Sequence, residues 1–153
     1  GASAIARGLR RACRGADIRP GAADLTLDIE AIDLPDASVD TVLCFHVLEH
    51  VDDARACAEL YRILRPGGLA ILSTPVAFGM PRTYENAAIR APRDRRVHFG
   101  QTDHVRYFGR DFAERVAAAG FVVDAFTISG AEGARFGVPH GQTVFRARKP
   151  ASS

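Results

Sequence analysis

Three residues that could bind a metal ion or move a proton lie within five positions, in the segment His46-Val47-Leu48-Glu49-His50. The spacing matches the HxxEH pattern of inverted zinc peptidases, in which two histidines four apart on one helix face bind zinc. However, His46 directly follows an apolar run, residues 41–45, that is typical of a buried strand, and no third carboxylate ligand is evident later in the chain. We therefore predict no metal, and a zinc hydrolase through His46, Glu49 and His50 is kept as an alternative. Two further interpretations stay open: residues that cap and pack the start of a helix, and a ligand pocket lined by His46.

Polar residues also close several of the strands that the sequence predicts. Asp17 and Asp28 end the first two strands, and His46 and Thr74 follow the next two. Ligands bind at the carboxyl ends of the strands in open α/β sheets. Asp17 could therefore accept hydrogen bonds from both hydroxyls of a ribose, and Asp28 could accept one from an exocyclic amine while Ile29 packs on a flat ring. The alternative for both carboxylates is a solvated loop position.

A second polar and aromatic group falls in residues 76–108, which show no regular apolar period. A stretch of this length is more often a binding insertion or a lid than a plain connector. The group could line a substrate pocket, and either histidine could act as a base; alternatively its members hydrogen-bond the backbone of the insertion. Its members are Tyr84, His98, Gln101, Asp103 and His104.

An arginine cluster at residues 90–96 lies in the same insertion. Arginine side chains bind phosphate groups well. As a nucleic-acid site, however, this cluster is short, includes Asp94 and has no interleaved aromatic residue. A solvated face is the favoured interpretation, with a site for an anionic group of a small substrate second. We expect no nucleic-acid partner.

The elements that must position these residues alternate between short apolar runs and helical periods, which predicts an α/β domain. We expect a weak helix over 5–12, strands near 13–18, 25–29, 41–45 and 69–73, and a helix over 52–65 that Pro66-Gly67-Gly68 stops. After the irregular insertion, a helix over 111–119 and strands near 121–128 and 143–147 follow.

The composition is that of a single folded domain over residues 1–153, with 47% hydrophobic and 25% charged residues. No apolar run approaches the ~20 residues of a membrane helix, and no signal peptide is evident near the start. The three cysteines lack CxxC spacing and are typical of reduced thiols. We expect a cytoplasmic protein without a membrane partner.

Residues 38–51, followed by 59–68 with Pro66-Gly67-Gly68, resemble the central block of class I S-adenosylmethionine-dependent methyltransferases of the type 11 kind. Segments of the insertion resemble a bacterial subgroup of that superfamily. The resemblance implies a Rossmann-like open, mostly parallel sheet flanked by helices. It also implies methyl transfer to an O, N or C nucleophile of a small-molecule acceptor, with S-adenosyl-L-homocysteine as product.

The resemblance further implies roles for individual residues. Six residues at the ends of the early strands would bind the cofactor: Asp17, Ile18, Asp28, Ile29, Phe45 and His46. Asp17 would hold the ribose hydroxyls and Asp28 the adenine amine, with Ile18 and Ile29 beside the ring. Phe45 and His46 would line the methionine and sulfonium end. No catalytic residue is firmly implied, and the candidates are His46, Tyr84 and His104.

One part of the family pattern is not found. No strand precedes Ile5, and no GxGxG occurs near Gly1, although the family's glycine-rich loop follows its first strand and cradles the methionine carboxylate. We expect a domain that is incomplete at its N-terminus, a degenerate relative without this unit, or a domain with a strand supplied by another chain, because loss of the strand leaves unpaired backbone within the sheet. A degenerate domain that keeps the fold for binding or scaffolding is the alternative to an active enzyme.

Overall fold

A computed structural model describes residues 13–136 and 141–151. Along the chain its elements are β1 Ala16–Asp17, β2 Leu25–Thr26, β3 Val39–Phe45, α1 Asp53–Ile63, β4 Leu64–Ser73, β5 Tyr84–Glu85, α2 Pro92–Phe99, β6 Arg106–Tyr107, α3 Phe112–Ala117, β7 Val122–Thr127, α4 Gly130–Phe136 and β8 Thr143–Arg148. The expected helix over 5–12 and the residues before it lie outside the described residues. None of the helices between residues 13 and 151 that the structure describes is long and apolar enough to cross a membrane.

The main sheet has four strands in the order β3-β4-β8-β7. β3 and β4 pair in parallel, whereas β8 pairs antiparallel with both β4 and β7. The expected α/β class with an open, mostly parallel sheet is confirmed, because β3, β4 and β7 run in one direction and β8 alone runs against them. β8 returns from β7 in the opposite direction and lies between β7 and β4, so one antiparallel strand stands inside the sheet. β1 and β2 form a separate parallel pair.

The core is formed where α1 packs on the sheet. Asp52 caps the helix, because its carboxylate accepts hydrogen bonds from the amides of Ala54 (3.1 Å) and Arg55 (3.2 Å). The apolar face of α1 is buried with Leu60 2% exposed, and Leu72 of β4 is fully buried. The same packing fixes the carboxyl ends of β3 and β4, where the candidate site lies.

The insertion is more ordered than its sequence predicts. It contains the antiparallel pair β5–β6 and the helix α2, and it returns to the end of β4 through a bridge between Val76 and Phe108. Periodicity fails to predict α2 because only Phe99 of this helix is buried, so it has no apolar stripe. Two other boundaries also differ: β4 includes Pro66-Gly67-Gly68, and α4 begins at Gly130, where a turn is expected.

Candidate active site

The HVLEH segment forms a turn, not a helix. His46 has a left-handed backbone (φ 55°), its amide donates to the Ser73 carbonyl at 2.8 Å, and the His50 amide donates to the Val47 carbonyl at 3.0 Å. His46 and His50 therefore do not share one helix face, as the zinc-peptidase alternative would require. The turn arises because the chain must leave the parallel strand β3 sharply before α1 begins at Asp53.

Glu49 lies at the centre of this turn and is 2% exposed. One of its carboxylate oxygens accepts a hydrogen bond from the Thr74 hydroxyl at 2.9 Å, and the other lies 3.3 Å from His46 Nδ1. Thr74 directly follows β4. Glu49 therefore ties the carboxyl ends of the two parallel strands together.

Two histidines meet beside Glu49. The rings of His50 and His104 stand edge to face with centroids 4.7 Å apart. His104 is buried and its Nδ1 lies 3.1 Å from the Phe99 carbonyl, while His50 Nδ1 lies 3.4 Å from a carboxylate oxygen of Asp103. The insertion thus brings His104 and Asp103 onto the turn after β3.

A cavity of about 230 Å³ opens at this junction. Glu49 and Pro75 line it from the strand ends, and Gln101, His104 and Tyr107 line it from the insertion. Of the predicted substrate group, Gln101 and His104 therefore line the cavity, and Asp103 contacts His50.

The other two members of that group form a pair of their own. The Tyr84 hydroxyl lies 2.8 Å from His98 Nδ1, and both side chains are exposed. Tyr84 also stacks at a tilt on Phe99, with ring centroids 5.6 Å apart, and Phe99 lines the cavity. The structure therefore divides the predicted group into a cavity part and a surface part.

Asp17 closes β1 with its carboxylate engaged by Arg19. The backbone amide of Arg19 donates at 2.8 Å and its guanidinium donates at 3.1 Å. These hydrogen bonds lower the pKa of Asp17 to about 2. The neighbouring side chain of Ile18 is 65% exposed, so a charged acceptor and an open apolar side chain lie next to each other at this strand end.

Asp28 does not end β2 directly but lies in the turn that follows it. Its carboxylate accepts from the Glu30 amide at 2.9 Å, and Asp28 bridges to Ala31. Ile29 packs against the core and is partly buried. At the end of β3, by contrast, Phe45 is 49% exposed.

Two contacts beside the site had no signal in the sequence analysis. Arg106 is 8% exposed; its guanidinium donates to the Leu48 carbonyl at 3.1 Å and to that of Val51, and it pairs with Asp53 at 3.0 Å. The other is Thr74 in its role as the partner of Glu49. Both contacts join distant segments, so no local pattern could have predicted them. The arginines at 90–96, in contrast, lie mostly exposed on and before α2, as a solvated face should.

Comparison with known proteins shows similarity to methyltransferases. The family model described as a methyltransferase domain matches residues 4–72. A protein of Mycolicibacterium smegmatis named as a probable S-adenosylmethionine-dependent methyltransferase is 47% identical over 60 residues, which cover 39% of this chain and 21% of that protein. The match thus spans about a fifth of that curated relative's length.

Solved structures agree on the fold. A chain in a complex between the Trm112 methyltransferase activator of Haloferax volcanii and a methyltransferase has a TM-score of 0.62 at 18% identity, covering 94% of this chain and 76% of that one. The 1,6-didemethyltoxoflavin-N1-methyltransferase of Burkholderia thailandensis, solved with 1,6-didemethyltoxoflavin and S-adenosylhomocysteine, has a TM-score of 0.57 at 21% identity, covering 88% and 60%. The family model, the sequence relative and the α/β fold agree: the chain is similar to S-adenosylmethionine-dependent methyltransferases, with the family model matching its first half from residue 4 to residue 72.

Proposed function

We propose that this chain is an S-adenosylmethionine-dependent methyltransferase domain that acts on a small-molecule acceptor. The observation that carries the proposal is the pair of strand ends, Asp17-Ile18 after β1 and Phe45-His46 after β3, in a chain of this family. Each group follows the carboxyl end of a parallel strand, where α/β sheets bind ligands; β1 belongs to the separate β1–β2 pair and β3 to the main sheet. The relative solved with S-adenosylhomocysteine supports the choice of cofactor.

The side chains at these ends fit the cofactor. The low pKa of Asp17, about 2, keeps its carboxylate ionised at neutral pH, as an acceptor for ribose hydroxyls must be. The Arg19 guanidinium donates to both carboxylate oxygens of Asp17. A carboxylate can accept about four hydrogen bonds in all, so Asp17 can still accept hydrogen bonds from the ribose hydroxyls. Exposed Ile18 offers an apolar surface to the adenine ring, with Ile29 beside it. Asp28 keeps an exposed carboxylate for the adenine amine.

Phe45 and His46 would line the reacting end. When bound, S-adenosylmethionine supplies a methyl group on a sulfonium centre, so the protein mainly has to position the acceptor. The contact between His46 Nδ1 and Glu49 orients the imidazole and leaves Nε2 as the free atom. We assign His46 as the acceptor of the substrate's proton, ahead of Tyr84 and His104.

The acceptor would enter the cavity beside Glu49. At about 230 Å³ the cavity is smaller than the usual range of ligand pockets, roughly 300–1,000 Å³, which favours a small acceptor or one ring of a larger molecule. Gln101 and Tyr107 offer polar groups to it. Asp103, Tyr84 and His98 would act around this cavity as supporting contacts.

Further properties follow as part of the proposal. The chain would act as one domain in a bacterial cytoplasm, where its three free thiols stay reduced. Within the described residues β3 pairs on one side with β4, so its other edge could accept a further strand, from this chain or from another.

Calorimetric titration with S-adenosylhomocysteine tests the proposal. The folded chain should bind one equivalent, and Asp17→Ala should weaken binding by ~1–3 kcal/mol, because charge-assisted hydrogen bonds to the ribose are lost. Asp33→Ala, which removes an exposed loop carboxylate, serves as the matched control and should leave the affinity unchanged. No binding by a folded chain would refute the enzyme, and equal affinity of Asp17→Ala and the parent would refute the ribose assignment.

A further inference from the structure

We propose that Glu49, His50 and His104 form a binding site for one first-row divalent metal ion of the zinc type. Each residue offers one ligand atom, and these three atoms lie within 4.8 Å of one another. The set joins the turn after β3 to the insertion, and it replaces the sequence-based zinc alternative by exchanging His46 for His104. The proposal goes beyond methyl transfer and does not depend on it.

The outer contacts of both histidines are those of metal ligands. His104 Nδ1 lies 3.1 Å from the Phe99 carbonyl, and His50 Nδ1 lies 3.4 Å from the Asp103 carboxylate. An acceptor at Nδ1 favours the tautomer protonated there, which leaves the lone pair of Nε2 free to bind a metal. Metal-ligating histidines almost always direct their second nitrogen to a carboxylate or a backbone carbonyl in this way.

Glu49 supplies a buried carboxylate in need of a cation. Its side chain is 3% exposed, and across residues 13–136 and 141–151 its ionic contact is with His46 and with no arginine or lysine. Burying a carboxylate is costly unless it is paired with a positive group or a metal ion. The Thr74 hydroxyl fixes one oxygen at 2.9 Å, so the carboxylate is held in one orientation.

The ligand chemistry selects the class of metal. Two imidazoles and one carboxylate suit Zn²⁺, Co²⁺ or Fe²⁺, whereas Mg²⁺ and Ca²⁺ prefer oxygen ligands alone. In a zinc site the Zn–N and Zn–O distances are roughly 2.0–2.2 Å. The ligand atoms of Glu49, His50 and His104 would therefore have to move about 1 Å closer to one another, which rotation of the side chains can supply. Three protein ligands leave the fourth position open, and the adjoining cavity with Gln101 offers room there for water or an oxygen of a small ligand.

Cobalt titration of the chelator-stripped chain tests the site. Co²⁺ should bind one equivalent per chain with visible absorption bands, and Zn²⁺ should displace it and raise the melting temperature. Glu49→Gln and His50→Gln should each weaken Co²⁺ binding by about 10- to 100-fold or more. His98→Gln, a histidine of the insertion outside the site, is the matched control and should bind as the parent does.

His50→Gln keeps the test informative if the buried Glu49→Gln variant fails to fold, because the His50 side chain is 29% exposed. The proposal is overturned if the folded parent binds no Co²⁺, or if both variants bind it as tightly as His98→Gln. The Co²⁺ titration contains no S-adenosylhomocysteine. A chain that fails to bind Co²⁺ therefore contradicts the metal site alone, and a chain that fails to bind S-adenosylhomocysteine contradicts the proposed function alone.

Discussion

Glu49 is held from the ends of two strands, and this makes it the residue on which the geometry of the site depends. Thr74 contacts it from the end of β4 and His46 from the end of β3, and a nitrogen of His104 lies within 4.8 Å of its carboxylate. A buried carboxylate with fixed neighbours keeps its orientation because each neighbour restricts it. The position of Glu49 therefore couples the proposed proton acceptor His46 to the proposed metal site.

Asp53 carries a different buried charge, on which stability depends. It accepts from the Arg115 guanidinium at 2.7 and 2.9 Å and lies 3.0 Å from Arg106, whose side chain is 9% exposed. Asp53→Ala leaves a buried guanidinium without this partner, and we expect a loss of about 3–5 kcal/mol in the free energy of unfolding. Urea denaturation measures this loss.

The matched control is Asp124→Ala, which removes the partner of Arg146 on the exposed sheet face, where the guanidinium Nε donates at 2.8 Å. Exposed pairs contribute up to about 1 kcal/mol, so this variant should unfold close to the parent. Equal losses in the two variants would contradict the buried role of Asp53.

The sequence could predict individual site residues wherever their position follows from a strand end. Phe45 closes an apolar run and Asp17 closes another, so both were predictable from local pattern. That Glu49, His50 and His104 lie together was not predictable, because it depends on how the insertion folds back onto the turn after β3. A backbone hydrogen bond from Val105 to Glu49, at 3.0 Å, makes that contact, and no local pattern encodes it.

At the scale of elements, β3, α1 and β4 carry the strongest local signals and all three form, although β4 begins at Leu64, earlier than expected. β3 and α1 have clear periodicity, and Asp52 caps the helix. The short elements β1, β2, β5 and β6, of two residues each, were predicted too long or not at all. Such strands exist through pairing with a distant partner, so tertiary context decides them over propensity.

The insertion depends on one close approach of backbone. A Cβ added at Gly109 would lie 2.4 Å from the carbonyl carbon of Arg82, where real Cβ atoms essentially never come. Beside it the Thr83 amide donates to the Asp111 carboxylate at 2.8 Å, and the Gly109 amide donates to the Thr83 hydroxyl at 3.2 Å. Gly109→Ala must therefore move backbone and disturb these bonds.

We expect Gly109→Ala to lower the free energy of unfolding by roughly 1–3 kcal/mol, the usual cost of overpacking, in a chemical denaturation experiment. Gly79→Ala is the matched control, because nothing lies within 4 Å of its added Cβ. It should be neutral or slightly stabilising. A parent-like Gly109→Ala variant would show that the segment at Arg82 is not packed as described.

At the scale of the whole molecule, one core joins the sheet, α1 and the elements after the insertion. Phe112 of α3 stacks edge to face on both Phe108 and Phe145, with centroids 4.7 Å apart in each pair. Phe108 ends the insertion and Phe145 lies in β8, so this aromatic chain ties the insertion to the central sheet. The site at the strand ends is therefore supported by the same packing that stabilises the domain, and the integrity of that packing can be measured through its buried thiols.

Cys44 of β3 and Cys57 of α1 report on this core. They are 5% and 2% exposed, and burial raises the pKa of each thiol to about 12 from 9.0. Below pH 9 both therefore stay protonated in the native state, and disulfide reagents react with the thiolate. Near neutral pH the native chain should react rapidly at one thiol, the exposed Cys13, and at all three after unfolding in guanidinium. Cys13→Ser should abolish the rapid phase of labelling and leave the two slowly reacting thiols. Rapid labelling of Cys44 or Cys57 in the native chain would instead mean that the contact between β3 and α1 opens readily.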